Sequence, residues 1–176
     1  LILCPTRELA EQILLEFKKI IGRTSGLRAV AVFGGADMQR QIYALKRGAN
    51  IVIGTPGRVL DHLARKTLKL GMVQTVVLDE ADEMLNMGFR GDIEKILGYT
   101  PRERQTVMFS ATMSNDILLL TKKYMHSPEK LQVGTPNATI SSIKQSYFIC
   151  PKEKKKRALH ALLTELPRGR TIVFCN

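Results

Sequence analysis

Short apolar runs rich in β-branched residues alternate with segments of helical periodicity through the first 133 residues, which restricts the chain to βαβ units around a parallel sheet. The runs at 1–4, 29–33, 51–53, 75–78 and 106–109 predict strands, and a shorter one at 130–133 predicts another. Between them, apolar side chains recur at helical spacing: Leu9, Ile13, Phe17 and Ile20; then Met38, Ile42 and Leu45, read as buried; then Leu60 and Leu63. Ile93, Ile96 and Leu97 mark a further helical segment, and Ile117, Leu118 and Thr121 another. Residues 134–144 are polar and turn-rich and predict a linker. Strands at 145–150 and 171–174 then flank a Lys-rich amphipathic helix with Leu159, Leu162 and Leu163. That is too little for a domain. The chain also opens and closes on strands, so a piece of a larger protein is expected.

Residues 76–83 read V-V-L-D-E-A-D-E, an apolar run that ends in four acidic side chains. So short a run suits a strand buried on both faces, as in parallel sheets. Ligands of open α/β sheets bind beyond the carboxyl ends of the strands, so Asp79 and Glu80 stand where a nucleotide phosphate and its magnesium ion can meet them. A hard cation needs a carboxylate, and an attacking water needs a base beside it. The same acids also suit the first turn of a helix, where they complement its dipole. D-E-A-D alone leaves both readings open.

The formal net charge of +11 favours a polyanionic partner, of which nucleic acid is the usual one. Part of that surplus lies in K-E-K-K-K-R at 152–157, which reads equally as a solvated helix face. No apolar stretch approaches the length of a membrane span. Cys4, Cys150 and Cys175 form no C-x-x-C pair, and each sits beside a predicted strand. They are expected to be reduced, buried and small, in a cytoplasmic protein.

Other strand ends carry groups suited to a phosphodiester backbone. In C-P-T-R-E, Thr6 can cap the next helix, leaving first-turn N–H groups and the Arg7 guanidinium outward; an ordinary N-cap with a surface arginine looks the same. Gly34 and Gly35 permit close backbone approach, or simply a turn. Thr55, Pro56, Gly57 and Arg58 combine a cap, a rigid turn, an exposed N–H and a second arginine at a helix start. With few aromatics for stacking, such a surface reads a backbone rather than bases. Ser110, Ala111 and Thr112 end the strand after the acidic one, and the two hydroxyls can bond the carboxylates or merely cap a turn.

In order, P-T-R-E-L, G-G, T-P-G-R, D-E-A-D and S-A-T resemble the motifs of the DEAD-box family of ATP-dependent RNA helicases, and the closing T-I-V-F-C-N resembles the family's motif IV. The resemblance runs the length of the chain. It implies a RecA-like, P-loop NTPase type of parallel sheet over residues 1–133 without its P-loop strand, and the start of a second RecA-like domain over 145–176. In that sheet a further strand would lie between the 106–109 and 130–133 strands. The implied cofactors are ATP and Mg2+, and the implied partner is RNA, as single strand or short duplex. Asp79 would hold magnesium through its water shell, and Glu80 would orient and deprotonate the attacking water. Asp82 with Ser110, Ala111 and Thr112 would couple nucleotide state to domain closure. Pro5, Thr6, Arg7, Gly34, Gly35, Thr55, Pro56, Gly57 and Arg58 would line the RNA backbone.

No G-x-x-x-x-G-K-[ST] loop, adenine-reading Q motif or second-domain arginine finger occurs in the sequence. They are expected outside Leu1 and Asn176, and the 176-residue chain alone is expected to be inactive. Two other readings are a module that binds RNA backbone without ATP, and a related DNA helicase or translocase, against which D-E-A-D with S-A-T and P-T-R-E-L argues.

Overall fold

Five short strands form one parallel sheet in the computed structural model, which describes residues 1–22, 26–133, 143–165 and 169–175. They are β1 (Ile2–Leu3), β2 (Ala29–Val32), β3 (Ile51–Gly54), β4 (Thr75–Leu78) and β5 (Gln105–Met108), in the spatial order β2-β3-β1-β4-β5. The central strand aligns Ile2 with Ile53 on one side and Val77 on the other, and Leu3 with Gly54 and Leu78. The helices between the strands are α1 (Arg7–Ile21), α2 (Met38–Lys46), α3 (Pro56–Ala64), α4 (Ala81–Asn86), α5 (Arg90–Gly98) and α6 (Asn115–Tyr124).

Successive strand residues point to opposite faces, and the core divides accordingly. Ile2, Cys4, Phe33 and Ile53 pack on one face with Ala10 of α1. Leu3, Val52, Val76 and Leu78 face the other, under Val59 and Leu63 of α3, Met84 of α4, Ile93, Ile96 and Leu97 of α5, and Ile117 and Leu120 of α6. Ile93, Ile96 and Leu97 are at most 2 % exposed, each worth about 1.5–3 kcal/mol of apolar burial. This is the α/β, doubly wound arrangement expected from the alternation.

Local chemistry sets the helix starts. The Thr6 hydroxyl accepts from Leu9 N at 3.2 Å and caps α1 as predicted. Asp37 caps α2 by accepting from the Gln39 and Arg40 N–H groups at 2.7 and 3.2 Å. Pro56 opens α3 without a side-chain cap, so Thr55 does not play the capping role its position suggests. Met38, Ile42 and Leu45 are only half-buried, and the buried residue of α2 is Gln41. Ile20 is exposed and turns away from the core that Ala10 enters.

Three predicted strands do not form. Residues 130–133 have no strand pairing, and Leu131 and Val133 are exposed. Residues 145–150 and 171–174 likewise form no strand among the described residues, with Tyr147, Ile149 and Phe174 exposed. Apolar alternation alone does not make a strand; a ladder partner does. β5 is an edge of the sheet, and among the described residues no strand pairs with its outer side.

The chain divides into two compact units, Leu1–Gln132 and Val133–Asn176. The second contains a 3-10 turn, Lys152–Lys154, and α7 (Lys155–Glu165), the predicted Lys-rich helix, with Leu159 and Leu163 partly exposed. Of the predicted linker, 134–142 lie outside the described residues. Of the cysteines, only Cys4 is buried; Cys150 is half-buried and Cys175 exposed, which corrects the expectation that all three are buried. No helix of the described residues is long and apolar enough to cross a membrane.

Candidate active site

Because every strand pairing is parallel, the loops after β1 to β5 all emerge at one edge of the sheet. The strand order sorts them along that edge. Gly34 and Gly35 follow β2, Thr55–Arg58 follows β3, and Pro5–Arg7 follows β1, so these turns are neighbours. Asp79 and Glu80 follow β4, and Ser110–Thr112 follows β5 on the far side. The ladder continues into the loops: Asp79 N donates to Leu3 O at 2.9 Å and Thr55 N to Val32 O at 3.1 Å.

At the acidic end, Asp79 Oδ1 accepts from the Glu80 N–H at 3.0 Å, and Oδ2 has no hydrogen-bond partner among the described residues. Glu80 is exposed and holds a left-handed backbone, φ 51° and ψ 51°, at the N-cap of α4. For a side chain with a Cβ this conformation is strained, and such outliers concentrate at functional sites. An exposed carboxylate beside a half-buried one can accept a proton and hold a hydrated cation. The Asp79 oxygens suit magnesium, which prefers oxygen ligands and keeps much of its water. Burial, with Asp79 and Glu80 nearby, pushes the Cys4 thiol up to about 12, so it stays protonated below them.

Asp82 is the second residue of α4, and its Oδ2 accepts from both Thr112 N at 3.0 Å and Thr112 Oγ1 at 2.9 Å. Burial raises its carboxyl, but the hydroxyls of Thr112 and Ser110 and the N–H groups of Thr112 and Glu83 together bring it below the ordinary value. The Ser110 proton is donated to Thr112 O at 2.7 Å, so the pairing that stands on geometry is with Thr112. Ala111 is exposed and contributes no side-chain bond. A depressed carboxyl stabilises the fold above its unfolded value and loses that contribution as pH falls through the folded one. The stability difference between wild type and Asp82→Asn is therefore expected to shrink as pH drops below 3.8, read from thermal midpoints across pH. A pH-independent difference contradicts the pairing.

At the other end, the Arg7 guanidinium stacks 5.2 Å from the Phe33 ring centroid, and its Nε donates to Glu11 Oε1 at 3.1 Å. It lies over Gly35, whose φ of 74° favours glycine. Arg58 Nη1 donates to Ala36 O at 3.1 Å. The first N–H groups of α1, on Arg7 and Glu8, and those of Gly57 and Arg58 in α3 find no partner among the described residues. A Cβ on Gly34 or Gly57 would meet nothing within 4 Å, so packing leaves open space above both. Pro5 and Pro56 are buried and shape the turns from beneath.

Sequence reading passed over several residues here. Gly54 closes β3, and a Cβ there would lie 2.7 Å from Val32 O and from the Cγ2 atoms of Val32 and Val59. A glycine ending an apolar strand is the signal that marks close backbone approach. Gln41, His62 and Thr67 form a buried chain of hydrogen bonds for which their spacing carries no signal. Burial, with the nearby Arg58 charge, lowers the His62 pKa and keeps the ring neutral.

A sequence model of the DEAD/DEAH box helicase family matches residues 1–120. The chain belongs to that family. The DEAD-box ATP-dependent RNA helicase CshA of Geobacillus kaustophilus is 47% identical over 174 residues, covering 99% of this chain and 37% of that protein. The ATP-dependent RNA helicase CshA of Listeria monocytogenes is 51% identical over the same length, covering 99% of this chain and 33% of that protein. This DEAD/DEAH box chain thus spans about a third of the length of these curated relatives. A crystal structure of a DEAD box protein from Methanococcus jannaschii superposes with a TM-score of 0.73 at 44% identity, over 93% of this chain and 44% of that one. A hypothetical ATP-dependent RNA helicase from Sulfolobus tokodaii superposes with a TM-score of 0.68 at 36% identity, over 73% of this chain and 38% of that one. The sheet of this chain is therefore of the RecA-like kind.

Proposed function

We propose that the chain is part of an ATP-dependent RNA helicase of the cytoplasm that couples ATP hydrolysis to local separation of short RNA duplexes. The observation that carries this reading is the sorted edge of the sheet. Carboxylates stand at β4, while arginines, unpaired helix N–H groups and open glycines stand together at β2, β3 and β1. Glu80 orients and deprotonates the attacking water, and Asp79 would hold a magnesium ion through its water shell. When bound, the ion neutralises charge on the phosphate oxygens. Asp82, with Ser110, Ala111 and Thr112, joins the loops after β4 and β5 and so couples nucleotide state to closure of a second domain.

Arg7, Thr6, Gly34, Gly35, Thr55, Gly57 and Arg58 meet the phosphates of single-stranded RNA, with Pro5 and Pro56 setting the turns. Backbone contacts of this kind position a strand without reading its sequence. Closure that bends the bound strand then separates the duplex. Catalysis of phosphoryl transfer rests mainly on positioning and charge stabilisation, which rigid strand ends supply.

Arg7→Ala and Arg58→Ala in the intact protein test this directly. Each is expected to weaken binding equally for unrelated RNA sequences and to lower the slope of log affinity against log salt by about one ion. Fluorescence titrations at several salt concentrations measure it. A changed sequence preference with an unchanged salt slope contradicts backbone recognition, and strand separation on DNA but not RNA duplexes reassigns the substrate.

A further inference from the structure

His62 is fully buried on α3, a helix whose other buried residues include Val59 and Leu63. Its ring makes two hydrogen bonds. Nδ1 lies 2.8 Å from Thr67 Oγ1, and Nε2 lies 3.2 Å from Gln41 Oε1. Gln41, only 7% exposed, donates its Nε2 to Phe33 O at 3.1 Å, which orients its amide oxygen toward the ring. With Gln41 Oε1 able only to accept, the proton falls to His62 Nε2, and Nδ1 shares the single Thr67 hydroxyl proton with His62 O, 3.1 Å from Thr67 Oγ1.

Phe33 immediately precedes Gly34, and His62 lies one helical turn beyond Arg58. The chain Phe33–Gln41–His62 therefore ties the glycine turn after β2 to the helix that begins with the Thr55–Arg58 turn. A second tie joins the same two elements nearer solvent, from Arg58 to Ala36 O. The outer tie uses a guanidinium that a phosphate would draw away. The inner tie uses no charged group and is out of a ligand's reach.

We infer that His62 and Gln41 are positioning residues that hold the Gly34–Gly35 turn and the Thr55–Arg58 turn in one register for successive phosphates of a nucleic-acid backbone. This rests on the reading of those turns as the RNA site. Fully satisfied buried polar networks fix a single arrangement in a way apolar packing does not.

The test compares His62→Leu/Gln41→Leu with His62→Gln in the intact protein. Both keep the core filled, and the double change removes the His62–Gln41 pair together, leaving the Thr67 hydroxyl on His62 O and costing Phe33 O its Gln41 donor. The glutamine can still donate to Gln41 Oε1. The double variant is expected to raise the RNA concentration for half-maximal ATP turnover about three- to tenfold, the range one neutral hydrogen bond spans, with kcat at saturating RNA within about twofold. His62→Gln is expected to stay within about twofold of wild type on both measures. Gln41→Met provides the same readout if the double variant folds poorly. RNA half-saturation unchanged in these variants, or kcat falling without it, overturns the inference. If Arg7→Ala and Arg58→Ala are silent as well, the assignment of the turns to RNA falls with it.

Discussion

Glu80→Gln in the intact protein is expected to lower RNA-stimulated ATP turnover by about 10²–10⁴-fold, the range a positioned general base contributes, while leaving ATP and RNA binding nearly unchanged. The amide matches the carboxylate in shape and still bonds water, but it cannot take a proton. The left-handed backbone at Glu80 is held by its neighbours: Asp79 N donates to Leu3 O and Ala81 N to Phe109 O, at 2.9 and 3.0 Å. Glutamine occupies that backbone at the same strain as glutamate, so the loss falls on chemistry rather than folding. A closed complex with ATP and RNA should then accumulate, visible as slowed RNA release in the presence of ATP. Asp79→Ala should behave differently and weaken magnesium-dependent nucleotide binding itself. Turnover of Glu80→Gln within a few-fold of wild type removes Glu80 from its assigned role.

Gly54→Ala is expected to destabilise the sheet by about 3 kcal/mol, the upper end of what overpacking costs, out of a domain total of about 5–15 kcal/mol. The added methyl would lie 2.7 Å from the backbone oxygen of Val32 as well as from two valine methyl groups. A flexible side chain can swing aside, but Val32 O is fixed, since it accepts the Thr55 N–H and belongs to the paired strand β2. Relief must therefore come from separating β2 from β3 or lifting α3. Gly57→Ala is the matched control. Nothing lies within 4 Å of its added methyl, so its folding stability should shift by no more than about 0.5 kcal/mol. RNA affinity should nonetheless drop, because the methyl occupies space a phosphate approaches. Equal denaturation midpoints for Gly54→Ala and wild type would refute the close approach at β3.

Much of this site was legible locally. Each functional turn sits at the end of an apolar run, and the parallel-sheet inference places all such ends on one edge without any knowledge of strand order. The Thr6 cap follows from a short-range motif, whereas the Asp82–Thr112 bond joins positions 30 apart and needed the two strands to be adjacent. The strands expected at 130–133, 145–150 and 171–174 show the limit of that reasoning, because alternation records which side chains are apolar and not whether a neighbour exists to complete the ladder.

What the sequence determined by itself was the alternation of strands and helices and the chemistry placed at each strand end, since both depend on periodicities of two to four residues. Tertiary structure alone decided the order β2-β3-β1-β4-β5, which seats two-residue β1 between the arginine-bearing turns and the acidic ones. It also decided that Gly54 has no room for a methyl and that Gln41 meets His62 across 21 positions of sequence. These facts arise from contacts between segments far apart in the chain, where the position of one backbone is set by the packing of another and no local pattern records it.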